Sequence, residues 1–299
     1  AYSRGKTDEA FTAFENARTR LESLLKIQPN NLDVLMLAGA NAFWLGNLTY
    51  EQSNYLATEP MFKRYLAYSE MMYQLAPNDF NSIMELSYSH NSLGSLYLKQ
   101  FNYALAKQSF TESLKLKNQA LELKPNNKNL LRDKTDTISW IASTEERLGN
   151  LSEALTMLEQ AINQLDSVLK IRPDDASLLS DIFNIYMQQS YLLSYFPDKQ
   201  DAYRKVEKAL FAINKARLQD PENENFKRKY YRALSFQLML SEESKKNIDE
   251  IVNYTDSNGF EKSQIIEIQL NIINYLINVK NFSQAESLLL KLENNTDYK

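Results

Sequence analysis

The sequence predicts an all-α protein, an α-solenoid of stacked antiparallel helix pairs, and three observations predict it. Pro29, Pro77, Pro125, Pro173 and Pro221 stand 48 residues apart, four intervals in a row. A series of small and large apolar residues keeps the same step. Six Gly and seven Pro in 299 residues, with long runs rich in Leu, Ala, Glu, Lys, Asn and Gln, favour long helices and leave strands little turn chemistry.

The prolines mark one joint per repeat. Each is followed by small polar or acidic residues: Asn30-Asn31, Asn78-Asp79, Asn126-Asn127, Asp174-Asp175 and Glu222-Asn223. The first four are preceded two positions earlier by Ile27, Leu75, Leu123 and Ile171. A helix ends before a proline that cannot continue it, and an Asn or Asp caps the next.

The second helix of each repeat is read from Ala10, Thr58, Ala106, Ala154 and Ala202, followed four later by Phe14, Phe62, Phe110, Leu158 and Val206. Ala17, Tyr65, Ser113, Ala161 and Ala209 come three later still. Small, large, small at that spacing is one helical face, and small residues let a neighbouring helix approach. Turns before this helix are expected at Gly5-Lys6, Phe101-Asn102, Gly149-Asn150 and Pro197-Asp198. The first helix contributes a large-small pair at Leu45-Gly46, Leu93-Gly94, Ile141-Ala142 and Gln189-Ser190, where helices must cross.

After Pro221 the pattern weakens. A second helix of about Asn247 to Tyr254 is expected, then a loop at Asp256-Ser257-Asn258-Gly259, then helices over Glu261 to Asn278 and Phe282 to Leu292 and a frayed tail from Asn294 to Lys299. One array is expected over 1–299, with repeats near 1–30 (partial), 31–78, 79–126, 127–174, 175–222, 223–258 and 259–293, and a tail at 294–299. The chain opens at the close of a first helix, without Met, which predicts a fragment of a longer protein.

These residues resemble the tetratricopeptide repeat, whose unit of about 34 residues carries the large-small pair, then Ala, Phe and Ala, then Pro. The longer step places seven extra residues at the start of the first helix and seven at the end of the second. Seven residues are two helical turns, roughly 10 Å, so the apolar face keeps its direction. The resemblance implies a right-handed superhelix whose first helices line a concave groove. Carried over from the family's second, fifth, ninth and twelfth positions, the groove residues are Phe43, Asn47 and Tyr50, then Tyr88, Asn91 and Ser95. Asp136, Ser139 and Ser143 follow, then Asn184, Met187 and Tyr191, with Arg232 and Ser235 last. Tyr, Asn and Ser suit a peptide held by its backbone. The family subtype that grips chaperone carboxylates with a Lys at the fifth position does not fit, because that Lys is missing from every repeat.

Other chemistry has little to stand on. Thirty-four basic against 38 acidic residues, net charge −4, argue against nucleic acid. With no Cys and one His, neither a thiolate zinc site nor a disulfide framework can form, and no cofactor, metal or catalytic residue is assigned. His90 reads as a packed side chain, and the isolated glycines Gly5, Gly39, Gly46, Gly94, Gly149 and Gly259 build no phosphate loop. Trp44 and Trp140 occupy equivalent sites that read as packing between repeats, with a binding stripe as the alternative. No stretch is apolar enough for a membrane span.

The expected function is a protein-protein interaction module that binds a peptide or protein in the groove, without enzyme activity. The resemblance extends to long-helix arrays that follow effector domains, such as kinases and winged-helix regulators, in bacterial signalling proteins, and so implies regulation of an effector outside this chain. The alternative is a structural scaffold or self-associating spacer, which makes a homo-oligomer possible. The cytoplasm is the expected compartment, or the periplasm if the array is attached to a membrane-anchored regulator.

Overall fold

The computed structural model describes residues 7–125, 127–241, 248–257 and 260–295. Among these residues there are thirteen α-helices and no strand. The chain divides into two compact units, Ala1–Met157 and Leu158–Lys299.

The first unit holds α1 (Thr7–Ile27), α2 (Leu32–Glu51), α3 (Tyr55–Leu75), α4 (Phe80–Lys99), α5 (Tyr103–Leu123), α6 (Lys128–Arg147) and the start of α7 (Leu151–Leu169). Helices α2 and α3 pack as an antiparallel pair, as do α4 and α5, and each second helix packs on the first helix of the next pair. In the second unit α8 (Ala176–Leu193) pairs with α9 (Gln200–Gln219). Then come α10 (Glu224–Leu240), the short α11 (Ile248–Ser257), α12 (Lys262–Asn278) and α13 (Phe282–Asn295).

All five prolines of the series stand in the turn between one pair and the next, and the second polar residue after each caps the following helix. Asn31 accepts from the Asp33 and Val34 amides at 3.0 and 3.2 Å, and Asp79 from Ser82 at 2.8 Å. Asn127, Asp175 and Asn223 do the same for Leu130, Leu178 and Phe226 at 3.1, 3.1 and 3.3 Å. Each cap satisfies an amide that the first helical turn leaves without a partner.

Inside a pair the corner is built differently. Ser53, Phe101, Gly149 and Lys280 all have positive φ, 58°, 59°, 83° and 60°. At each, the amide of this residue bonds back three residues, and the amide of the Asn that follows bonds back five: Asn54 to Thr49, Asn102 to Tyr97, Asn150 to Glu145 and Asn281 to Leu276, at 2.8–2.9 Å. This is a Schellman closure. The same Asn starts the next helix, as when the side chains of Asn54, Asn102 and Asn281 accept from Ala57, Leu105 and Gln284 at 3.3, 3.4 and 3.4 Å. One residue thus closes one helix and opens its partner. Pro197 stands where the fourth corner needs an N–H and a left-handed backbone, and proline supplies neither. There α8 ends at Leu193, and Asp198 accepts from the Gln200 amide at 2.8 Å.

The small-large-small face is the core. Ala106, Phe110 and Ser113 are completely buried, as are Ala154, Leu158 and Ala161, and Ala202, Val206 and Ala209. Phe14 and Ala17 on α1 stay half-buried. A Cβ on Gly46 or Gly94 would come within 2.5 Å of the Phe62 ring or 2.7 Å of the Phe110 ring, so each glycine is the hollow that admits the next helix's aromatic. Burying such a ring contributes about 2–3 kcal/mol. In the second unit Ile251 and Phe260 join Ile268, Ile272 and Leu276 in one core cluster.

Three expectations need correction or fall outside these residues. Asp256 and Ser257 are not loop but the end of α11, and Asn294 and Asn295 belong to α13, because both helices run past their last apolar residue. Gly5, Lys6, Asn126, Asn247, Asn258, Gly259 and residues 296–299 lie outside the described residues.

Candidate functional site

Inward-facing positions of α2, α4 and α6 enclose a recess of about 620 Å³ in the first unit. Helix α2 contributes Phe43, Asn47 and Tyr50, α4 contributes Ser92, Ser95, Leu98 and Lys99, and α6 contributes Trp140, Ser143, Glu146 and Arg147. Phe62 of α3 and the corner residues Phe101 and Tyr103 complete the lining.

Packing fixes the rings in place. Phe43 stacks on Phe62 at 6.2 Å and meets Tyr65 edge-on at 5.8 Å. Tyr50 lies 5.8 Å from Tyr55 and 6.2 Å from Phe62, and burial raises its pKa above the ordinary tyrosine value. Trp140 stacks on Phe110 at 6.2 Å while remaining 45 % exposed. One face of its indole belongs to the core, and the rest is offered to the recess. Trp44, at the equivalent place, stacks on Phe14 at 6.4 Å, so both tryptophans rest on the preceding second helix.

Phe101 is the unusual member. It is 76 % exposed, has the positive φ that glycine adopts without penalty, and touches Tyr103 edge-on at 6.4 Å. Holding a bulky residue there costs about 1–2 kcal/mol.

Of the fourteen residues expected to face a groove, Phe43, Asn47, Tyr50, Ser95 and Ser143 line this recess. Tyr88 and Asn91 are drawn into a polar network between neighbouring pairs. The Tyr88 hydroxyl donates to Asp133 Oδ2 at 2.9 Å, and Thr137 Oγ1 lies 3.4 Å from Asn91 Oδ1. At its centre Lys117 of α5, 1 % exposed, donates to the Asp133 carbonyl at 2.9 Å and to Thr137 Oγ1 at 2.6 Å. Burial pushes the Lys117 pKa down to about 8, partly offset by Asp133 and Asp136. Asp136 is exposed and Ser139 half-buried on α6, outside the lining.

In the second unit Asn184 is exposed, whereas Met187 and Ser235, 7 % and 0 % exposed, are corrected from groove to core. Ser235 instead accepts from the Asn271 amide at 3.2 Å. Tyr191 and Arg232 meet on Glu267, the tyrosine donating at 2.6 Å and the guanidinium at 2.6 and 3.1 Å. These inner side chains are joined across α8, α10 and α12. His90 is half-buried on α4, and burial lowers its pKa against the opposing effect of Glu112.

Sequence reasoning missed Ser92, Leu98, Lys99, Phe101, Tyr103, Glu146 and Arg147. The family's groove positions lie along the first helix, whereas this recess extends over its last turn and the corner behind it. Lys99 and Arg147 stand at the same place in successive repeats, a signal that was available in the spacing.

Helix pairs, buried Ala-Phe faces and proline corners make an all-α array of the tetratricopeptide-repeat kind, and proteins built from that repeat typically mediate protein-protein interactions. Residues 87–119 match the tetratricopeptide repeat family, and residues 133–247 match the plant specific mitochondrial import receptor subunit TOM20. No curated protein matches the chain in sequence. Among solved structures, BtubC (BKLC) from P. vanneervenii is similar over 97 % of this chain and 90 % of that one, with a TM-score of 0.54 and 11 % identity. MamA gives a TM-score of 0.40 at 14 % identity, covering 72 % of this chain and 92 % of that one. YrrB, described as a TPR protein with an unusual peptide-binding site, gives 0.35 at 14 % identity, covering 87 % and 97 %. At 11 % identity the likeness to BtubC is one of fold alone. Among the described residues no helix is long and apolar enough to cross a membrane.

Proposed function

We propose that this chain is a receptor for a segment of another polypeptide, held in the recess between α2, α4 and α6. The observation that carries the reading is the lining itself. Rings locked by packing (Phe43, Tyr50, Trp140) alternate with an amide and hydroxyls (Asn47, Ser95, Ser143) across three consecutive pairs. Rigid aromatics supply contact area at low entropic cost, and short polar groups supply hydrogen bonds to a backbone. The match of residues 133–247, which take in the α6 part of the lining, to an import receptor subunit supports a receptor reading.

A displayed random-peptide library selected on the chain tests it, with enriched peptides titrated against the wild type and Trp140→Ala. The variant is expected to lose about tenfold or more in affinity, as truncated interface anchors do. Enriched peptides that bind both proteins equally would place the binding elsewhere.

The sequence resemblance extends this reading to a relay, in which capture regulates an effector domain on a longer chain, in the cytoplasm or beside a membrane anchor. A full reading frame without an effector domain would end that extension. One observation favours the scaffold reading: Ile27, Leu75 and Leu123, one per repeat at the proline corners of the first unit, are 77 %, 43 % and 47 % exposed. Light scattering over a concentration range tests it, since a strict monomer excludes self-association through that row.

A further inference from the structure

We infer that the segment taken into the recess is acidic, presenting an aromatic or long aliphatic side chain to the rings and carboxylates to the rim. The inference rests on the receptor reading above and adds the chemistry of what is received.

The carrying observation is the charge at the rim. Lys99 and Arg147 both line the recess, each in the last turn of its first helix, α4 and α6. A cation in a final turn complements the exposed carbonyls there, which accounts for its sign. It does not account for two cations facing one recess from successive pairs. Neither is in an ion pair among the described residues. Some other cations of the first unit do find carboxylates, as Lys107 does with Glu145 at 2.5 Å and Arg18 with Glu15 at 2.6 Å, so carboxylates are within reach of this surface and the rim leaves its two cations to a ligand. Glu146 is the single carboxylate of the lining, which thus carries one net positive charge in a chain whose net charge is −4. Glu51 is held on the Asn47 amide at 3.2 Å on the α2 side, whereas the two cations are on α4 and α6.

The second observation is the place of Phe101, two residues after Lys99. An exposed aromatic at the corner, kept in a left-handed conformation, puts an apolar wall beside a cation. That wall receives an anchor side chain, while the flanking residues of the bound segment pass the two cations. Carboxylates there would form charge-assisted hydrogen bonds, whereas lysines would be repelled.

The test uses three fluorescein-labelled octapeptides with one central tryptophan, flanked by glutamates, glutamines or lysines, titrated by fluorescence anisotropy at low salt. The glutamate peptide is expected to bind at least about fivefold more tightly than the glutamine peptide, with the lysine peptide weakest, and the gap should narrow as salt is added. A Lys99→Glu/Arg147→Glu chain should invert the order. Both side chains are exposed, so the variant should keep the wild-type helicity, with melting lowered only by the small penalty that each anion carries at a helix C-terminus. Equal binding of the glutamate and glutamine peptides, both abolished by Trp140→Ala, overturns the acidic assignment and leaves the receptor reading standing. Failure of all three peptides, or binding that survives Trp140→Ala, overturns both. A dimer that excludes the peptides gives the recess to a second copy of the chain and overturns the acidic segment.

Discussion

Replacing Lys117 with methionine would measure what it costs the first unit to carry an ammonium group in its interior. The side chain is 1 % exposed, and its charge is met by the Asp133 carbonyl at 2.9 Å, Thr137 Oγ1 at 2.6 Å and the Tyr88 ring at 5.8 Å, with Asp133 and Asp136 as the facing carboxylates. Burial lowers its pKa from 10.5 to about 8. A folded pKa below the unfolded one means that the unfolded chain binds the proton more tightly. Stability therefore rises with pH through the window from about 8 to 10.5. At about 1.4 kcal/mol per unit, the gain between pH 7 and pH 9.5 is about 2 kcal/mol. Tyr65 and Tyr88, whose pKa values burial raises above 10.0, act in the opposite sense only at higher pH. Burial also lowers the Lys134 pKa, but that contribution is common to both proteins and cancels in their difference. Methionine keeps the aliphatic packing, and the Thr137 hydroxyl still donates to the Asp133 carbonyl at 3.0 Å. The variant should thus be about 1–3 kcal/mol more stable at pH 7, with an advantage that shrinks toward pH 9.5. Urea unfolding followed by far-ultraviolet circular dichroism across that range is the assay. A wild-type midpoint that stays level or falls, or a methionine advantage that does not shrink, would refute the reasoning.

Four further outcomes are expected. Ser53→Gly, at an exposed corner with φ 58°, should stabilise the first unit by about 1 kcal/mol, read as a raised thermal midpoint. Gly94→Ala would press a Cβ to 2.7 Å from the fully buried Phe110 ring, and should lower the urea midpoint by the equivalent of about 1–3 kcal/mol despite alanine's better helix propensity. Asn102→Ala removes the side-chain cap of α5, whose bond to Leu105 is 3.4 Å, and should cost about 1 kcal/mol in the same unfolding assay. In the second unit Glu267→Gln leaves Arg232 and Tyr191 without their shared carboxylate, so amide exchange in α12 should quicken by an amount corresponding to about 1 kcal/mol, and unchanged exchange would show that the cluster holds nothing together.

The corners and the buried face were legible in the sequence because each rests on a local rule. A proline after a helix and an Asn or Asp one turn ahead of the next apolar face say the same thing in every repeat. The Schellman corners were only half legible. Gly149 announces a left-handed residue, but Ser53 and Lys280 do not, and the useful signal was the Asn that follows each. The site was harder. Phe43, Asn47 and Tyr50, carried over from the family's groove positions, line the recess, whereas Tyr88 and Asn91, carried over in the same way, bond toward the neighbouring pair. That outcome depends on Asp133, more than forty residues away, and on the burial of Lys117 between them. Ser235 and Met187 failed for a related reason, since a position facing inward in a family template is covered wherever the next pair packs closer.

The corner at Phe101 bears on how this protein should be engineered. Glycine would relax the backbone there, so a search guided only by melting temperature would be drawn to Phe101→Gly. Such a search would yield a hardier chain with a bare lip, and it would register the loss of the ring as an improvement. Heat resistance and ligand capture should therefore be scored separately at residue 101, whereas at Ser53, which lies outside the lining, the two measures have no reason to conflict.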